Sequence, residues 1–409
     1  MKILWLCGNP GLFRATSLAD GGWIGALQTE LTHKYNVQLI NVFEYPRKAN
    51  VQIDKNVTYY PIYIGKRNKL FDKFYHKIVD KIFLSNVLDI IQKEKPDIIQ
   101  CWGSELGYGL IRNYTNIPVI LHIQGLLNPY LDAYFPPGYS LVKLLAARKW
   151  NLISFVRYQW LPYYLFKKNT IRERKILRHI KYLLGRTSWD KDCAQLLSPQ
   201  AEYIFCSEAL RSNVINAEKW KWTESKKLTI STIISSAIYK GVDVILRTAK
   251  LLKKTWGNDF EWNIYGVSNI SIHERLTNIK ASEVNVKTYG RVSAETIAKN
   301  LSQSDVYCHQ SYIENSPNSV CEAQYLGVPI VAANAGGMDT IVSDGAGILV
   351  PTNDAYRSAC AIIQIKKDKI YAEDISKKEI SKAIERHCNV STQLINIYKD
   401  ILDKEKSYE

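Results

Sequence analysis

The sequence predicts an α/β fold of two doubly wound domains, and three observations carry that expectation. Short apolar runs bounded by turn residues recur along the chain, several continuous rather than alternating, as parallel strands buried on both faces require. Between them lie longer stretches with apolar residues at helical spacing, such as 24–34 and 84–93. The runs form two series separated by a polar, lysine-rich stretch at 213–227, and 409 residues exceed one ordinary core.

The first series holds runs at 3–6, 37–42, 98–101, 119–123 and 182–184. The opening apolar run, which closes at Gly8, is too short for a secretory leader and reads as a first buried strand. The second series holds runs at 228–234, 262–265, 284–286, 306–309, 330–333 and 348–350, with helices starting near Val242, Ala294, Ser319 and Thr352. An amphipathic stretch at 391–404 reads as a closing helix. The expected division is 1–212, 213–388 and a terminal helical segment at 389–409. No run of about 18 apolar residues occurs, so no membrane span is expected and a cytoplasmic location is the default.

Composition narrows the class. Apolar residues make up 46% and aromatics 11%, which excludes a mainly disordered chain. The eight cysteines are scattered without a CxxC pair, which suits buried hydrophobes in a reducing compartment and gives no zinc site. Net charge is +15 and lopsided: residues 1–200 hold 28 Lys+Arg against 14 Asp+Glu, while 201–409 hold 26 against 25. Phosphorylated substrates and anionic lipid are eligible partners. No RNP-type, zinc-knuckle or helix-turn-helix signature accompanies the charge, so nucleic acid is not expected.

Residues 311–337, SYIENSPNSVCEAQYLGVPIVAANAGG, say most about function. Glu314 and Glu322 are eight positions apart, and the second lies in a segment that reads as a helix opening. An acid there accepts hydroxyl donors, while the helix N-terminus itself favours negative charge. An apolar strand follows, then the pair Gly336-Gly337, which can bring bare backbone amides close to a ligand. One carboxylate for a ribose, one for a sugar and nearby amides together suit a nucleotide sugar.

This block closely resembles the donor-binding signature of family-4 retaining glycosyltransferases of the GT-B type. The resemblance implies GT-B architecture, two Rossmann-like domains facing across a cleft, with the last helix crossing back to the first domain. It implies that Glu322 holds the ribose, Glu314 the donor sugar and Gly336-Gly337 the phosphate-sugar region, with Asn315, Ser316, Asn318 and Ser319 in the same donor loop. Tyr239-Lys240-Gly241-Val242-Asp243 resembles the element in which a lysine meets the donor diphosphate. A cation there offsets charge on the leaving nucleotide, a stabilisation of roughly 3 kcal/mol.

The sequence departs from the family pattern at three places. Ser235-Ser236 stand where an arginine is usual, with Arg291 after Gly290 as a possible substitute from the next loop. Thr340 follows the glycine pair where a glutamate is usual, and Gln124-Gly125 replace a common His-Gly. Glutamine can bond a sugar hydroxyl but cannot exchange protons as histidine does. His122, two residues earlier, reads as a satisfied core histidine.

In the first half, the stretch at 19–25 with Gly21, Gly22 and Trp23 resembles a glycine-rich loop before a helix, suited to a donor phosphate or an acceptor hydroxyl. Glu105 and Arg186, each following a strand, are cleft candidates, with a mutual salt bridge as the alternative; their surroundings resemble a bacterial polysaccharide-assembly branch of the family. Asp190-Lys191-Asp192 has the form of a metal-binding D-x-D but sits at a helix start, where aspartate serves as a cap. Residues 139–181 hold eleven Lys+Arg and one acid, Glu173, interleaved with Trp150, Phe155, Tyr158, Trp160, Tyr163, Tyr164 and Phe166. This is the composition of a membrane-surface segment, with a lid whose aromatics pack inward as the alternative.

The expected activity is retaining transfer of a hexosyl-type unit from a nucleotide diphosphate sugar to a saccharide acceptor, lipid-linked in cell-surface polysaccharide assembly. Glu314, Lys240 and Gln124 are the catalytic candidates, no metal or cofactor is expected, and an anionic membrane surface is the expected peripheral partner. Two rivals remain open: a GT-B epimerase or phosphorylase, and a nucleotide-sugar-binding protein without catalysis.

Overall fold

The computed structural model describes residues 1–15, 21–75 and 77–408. Ala19 and Asp20 of the expected glycine-rich loop lie outside the described residues. The chain divides into two compact units: Met1–Pro129 with Leu165–Ser212 and His387–Glu409, and Tyr130–Tyr164 with Asn213–Arg386. The expectation of one unit at 1–212 is corrected at Tyr130–Tyr164, which groups with the second unit. Among the described residues no helix is long and apolar enough to cross a membrane.

The first unit is built on β1 (Lys2–Cys7), β2 (Gln38–Tyr45), β3 (Gln52–Asp54), β4 (Val57–Tyr63), β5 (Ile98–Trp102), β6 (Val119–His122), β7 (Tyr182–Gly185) and β8 (Glu202–Phe205). They lie in the order β3-β4-β2-β1-β5-β6-β7-β8. Every neighbouring pair is parallel except β3 with β4. Strands β3, β4 and β8 were not expected from sequence. The first has three mostly polar residues and the last is only partly buried, so neither forms the apolar run that marks a central strand.

The second unit has β9 (Leu228–Ile233), β10 (Phe260–Tyr265), β11 (Val286–Gly290), β12 (Val306–His309), β13 (Ile330–Ala333) and β14 (Ile348–Val350), in the order β11-β10-β9-β12-β13-β14 and all parallel. The strand expected at 284–286 starts at Val286, because Ala281–Val284 forms a 3-10 turn closed by Asn285 with φ 55°. The helix expected near Thr352 starts at Ala355, where the Asp354 side chain accepts from the Arg357 amide.

Apart from the antiparallel edge strand β3, each sheet reverses its strand order once, between β1 and β5 and between β9 and β12. Crevices at such reversals, at the carboxyl ends of the strands, are where open α/β sheets bind ligands.

The closing helix Val390–Tyr408 packs in the first unit, its Leu394, Tyr398 and Ile401 joining Trp5, Leu27 and Leu31 in one buried cluster. Trp5 Nε1 donates to Tyr398 Oη over 3.0 Å, and that hydroxyl donates to Gln100 Oε1. Replacing Tyr398 by Phe therefore strands two buried polar atoms, a loss of about 1–3 kcal/mol. Urea unfolding of Tyr398→Phe should show a lower midpoint with an unchanged slope; an unchanged midpoint would remove the bond from the account.

Candidate functional site

The second unit builds its site where β9 and β12 lie side by side. The turn Ile238–Lys240 follows β9 and ends on Gly241, whose φ is 71°. A Cβ at Gly241 would fall 1.8 Å from the Gln310 carbonyl oxygen, so only glycine lets this turn close on the segment after β12. The Tyr312 amide completes the junction by donating to the Tyr239 carbonyl over 2.8 Å. Asp243 braces it from below: the Tyr312 hydroxyl donates to Asp243 Oδ2 at 2.8 Å and Arg247 pairs with the same oxygen at 3.1 Å.

This closure delivers Lys240 to Glu314. The ammonium pairs with Glu314 Oε1, and the two side chains are 16% and 6% exposed. His309, the last residue of β12, places Nε2 3.1 Å from the same oxygen. Ser311 Oγ lies 3.1 Å from that nitrogen, and Tyr307 Oη lies 3.4 Å from Nδ1. Burial alone would push the Glu314 carboxyl up, but Lys240 and His309 outweigh it and hold it down at about 2. Glu314 is therefore an anion paired with Lys240.

The backbone of Glu314 is fixed as firmly as its side chain. Gly336 has φ 59°, and a Cβ there would lie 1.9 Å from the Glu314 carbonyl oxygen. That oxygen also accepts from the Gly337 amide at 2.9 Å. The glycine pair thus differs from the expectation of amides offered to a ligand: the Gly337 amide is spent inside the protein, on the residue that carries the carboxylate.

The other donor candidates spread around this centre. Glu322 is 3% exposed, one turn into the helix Asn318–Leu326, and half-buried Asn318 and Ser319 open that helix. Asn315 is buried, and buried Ser316 turns its hydroxyl to Cys321 Sγ and Arg386 Nη2, at 3.6 and 3.5 Å. Ser235 and Ser236 are exposed just after β9. Gly290 ends β11 with φ 66° and Arg291 is exposed beyond it, but β11 is the edge strand, two places from β9.

In the first unit, the candidates sit after β1, β5, β6 and β7. Gly22 has φ 59° at the start of the helix Gly22–Lys34, and a Cβ there would meet nothing closer than Asn9 Nδ2 at 3.6 Å. Gly21 instead lies against Leu12, 2.6 Å from an added Cβ. Trp23 meets Trp102 edge-on and lies under the Arg186 guanidinium at 5.3 Å. Arg186 is only 2% exposed; it pairs with Glu208 at 3.3 Å and donates to Gln124 Oε1. It is an internal brace that positions Gln124, which corrects both the open-cleft reading and the Glu105 salt bridge offered as its alternative.

Glu105 follows Gly103, whose φ of 89° and lack of a Cβ leave room for the Glu105 carboxylate. Burial, reinforced by the Glu173 carboxylate and opposed by Arg186, pushes Glu105 up to about 7. Glu173 accepts from the Leu127 and Asn128 amides at 2.9 and 2.8 Å and from Ser104 at 2.5 Å, while Ser104 also donates to the Gly125 carbonyl at 3.1 Å. His122 lies between Gln100 and the Cys206 carbonyl, each at 3.2 Å, and burial pushes it down to about 3. Asp190 forms a capping box with Thr187, accepts from the Arg186 amide at 2.8 Å and from the Tyr203 hydroxyl at 2.5 Å. Asp192 is exposed on the next turn position, so the D-x-D carboxylates serve separate ends.

Sequence reasoning missed His309 and the Tyr312–Asp243 brace. The signal for His309 was its place at the end of an apolar strand, five residues before Glu314.

Two parallel Rossmann-like sheets with these strand orders define the GT-B glycosyltransferase fold. Sucrose-phosphate synthase from Thermosynechococcus elongatus superposes with a TM-score of 0.72 at 16% identity, covering 98% of this chain and 99% of that one. The Anabaena Alr3699/HepE structure in complex with UDP-glucose gives a TM-score of 0.63 at 14% identity, covering 98% and 100%. Residues 214–382, which lie within the second unit, match the family model described as glycosyl transferases group 1. An uncharacterized 41.2 kDa protein in the cps region of Klebsiella pneumoniae is 26% identical over 170 residues, 41% of this chain and 43% of that protein. The chain spans less than half the length of the curated relatives it matches.

Two measurements check this geometry. Gly336→Ala forces a methyl group onto the Glu314 carbonyl in a left-handed conformation, at a cost of about 3 kcal/mol. A urea midpoint within error of the unsubstituted protein would mean that the turn is not packed as described. The second concerns acid. Glu314 is held at about 2, below the ordinary 4.5, so the unfolded chain binds the extra proton in between. Its contribution to stability is present above pH 4.5 and is lost as pH falls through about 2. The stability gap between the unsubstituted protein and Glu314→Gln should therefore narrow from pH 5 to pH 2; a gap independent of pH contradicts the assignment.

Proposed function

We propose that the protein is a retaining glycosyltransferase that moves a sugar from a nucleotide diphosphate sugar to a saccharide acceptor. The observation that carries this reading is the Lys240–Glu314–His309 cluster at the strand-order reversal of the second sheet, inside the stretch matched by the family model. Lys240 meets the diphosphate and offsets the charge that grows on the leaving nucleotide. Glu314, anionic and fixed by its own backbone, holds sugar hydroxyls, and Glu322 holds the ribose. Attack on the face from which the nucleotide departs needs no carboxylate nucleophile, since the leaving phosphate accepts the acceptor's proton.

Gln124, set by Arg186, positions the sugar, and Gly22, Trp23 and Glu105 are the acceptor-side candidates of the first unit. A lipid-linked saccharide in cell-surface polysaccharide assembly is the acceptor class this reading favours, on the cytoplasmic side of a membrane. The Klebsiella relative's place in a cps region supports it, as does the UDP-glucose bound by the Anabaena neighbour for the donor class.

A binding protein without catalysis is the second reading, favoured by exposed Ser235-Ser236 where the family resemblance expects an arginine. Calorimetry with UDP-, GDP- and ADP-sugars, followed by transfer assays on extracted lipid-linked saccharides, separates the two. Glu322 would accept one or two charge-assisted bonds of about 1.5–3 kcal/mol each, so Glu322→Ala should weaken nucleotide binding at least about tenfold. Unchanged affinity would take Glu322 out of the site, and tight donor binding without transfer to any acceptor would favour the second reading.

A further inference from the structure

The segment Tyr130–Tyr164 is anchored to the second unit along one side and bare along the other. On the anchored side, Tyr130 and Tyr134 pack against Tyr239 with ring centroids 5.6 and 6.1 Å apart. Tyr139 Oη lies 2.9 Å from His273 Nδ1, and Arg275 donates to the Ala147 carbonyl at 2.7 Å. Leu144, Ala147 and Phe155 are buried. Tyr239 precedes Lys240, so this segment is a fixed part of the donor loop's surroundings.

The bare side is unusual in composition. Trp150 is 66% exposed, Leu152 62% and Ile153 84%, with Val156 and Trp160 exposed after them. Leu152, Val156 and Trp160 recur at four-residue spacing through the short helix Leu152–Phe155 and the π-turn Val156–Trp160, so they share one face. Trp150 projects from a tight turn in which Lys149 and Trp150 have φ of 53° and 60°. Exposed side chains of this size, gathered within eleven residues of sequence, have the character of an interaction surface.

The segment is also cationic. Lys143, Lys149 and Arg157 are exposed in the same segment, and no Asp or Glu occurs between Asp132 and Glu173 in the sequence. A nucleic acid partner would use the cations but leave Leu152 and Ile153 unburied. A protein partner with a mixed surface would not select against every carboxylate over forty positions. An anionic bilayer uses both parts, with aliphatic and tryptophan side chains entering at the headgroup boundary and Lys and Arg meeting the lipid charge.

We propose that the face formed by Trp150, Leu152, Ile153, Val156 and Trp160, together with Lys143, Lys149 and Arg157, docks the protein on an anionic lipid bilayer. The surface differs from the longer basic segment expected from sequence, because Arg172 and Arg174 are engaged within the first unit, by Asp80 at 3.0 Å and Asn128 at 2.5 Å. Docking goes beyond the transfer reaction and needs neither donor nor acceptor.

Sedimentation with vesicles of phosphatidylglycerol and phosphatidylcholine, against vesicles of phosphatidylcholine alone, tests it on the full chain. The protein should pellet with the anionic vesicles at low salt, and brominated lipid should quench its tryptophan fluorescence. Lys143→Glu/Lys149→Glu/Arg157→Glu should weaken binding at least about tenfold, since each cation near the surface contributes substantially. Trp150→Ser/Ile153→Ser should remove the binding that survives added salt and the quenching. Both variants should keep an unchanged unfolding midpoint, which separates lost docking from lost fold. Unsubstituted protein that stays in the supernatant, or variants that bind as it does, overturn the proposal. So does a lipid-free dimer in sedimentation velocity that both variants dissolve, which would make the face a contact between copies. Failure here leaves donor binding and transfer untouched, so it is distinct from failure of the transferase reading.

Discussion

The second unit depends on one residue held from two directions. Glu314 has its carbonyl in the space that Gly336 leaves open and its carboxylate on Lys240 and His309. A buried ion pair gains little net stability, because desolvation offsets much of the attraction. Its value lies in what it fixes. The cation that would meet a diphosphate and the anion that would meet a sugar stand at a set spacing before any ligand arrives, so little reorganisation remains to be done on binding.

The glycines explain why so few other residues are needed there. Gly241 lets the Lys240 turn reach Gln310, and Gly336 lets the following loop reach Glu314. Both closures are backbone on backbone, where a methyl group would sit inside the van der Waals radius of a carbonyl oxygen. The exposed serines after β9 add no charge of their own. In the transferase reading proposed above, Lys240 would therefore carry a larger share of the phosphate interaction than it would beside an arginine.

Legibility differed between the halves for a physical reason. In the second unit the main site residues lie on one strand–loop–helix–strand stretch and its neighbouring turn, so spacing in sequence translates directly into spacing in space. Lys240, Glu314, Glu322 and the glycine pair could be picked out that way as candidates. What stayed hidden was direction: the Gly337 amide points at Glu314, and His309 was read as a strand end. In the first unit the candidates follow four different strands, and their partners are remote. Arg186 finds Glu208 and Gln124, which no local pattern announces. The grouping of Tyr130–Tyr164 with the second unit was unreadable for the same cause, since contiguity along the chain argued for the first.

The central claim is that Lys240 is shared between Glu314 and a diphosphate. Calorimetric titration of the free nucleoside diphosphate that binds best among UDP, GDP and ADP tests this directly, on the unsubstituted protein and on Glu314→Gln. Removing the competing anion frees the lysine and deletes a like charge beside the phosphates, so the variant should bind the diphosphate more tightly, by about threefold or more. Weaker binding of the diphosphate by Glu314→Gln would contradict the account.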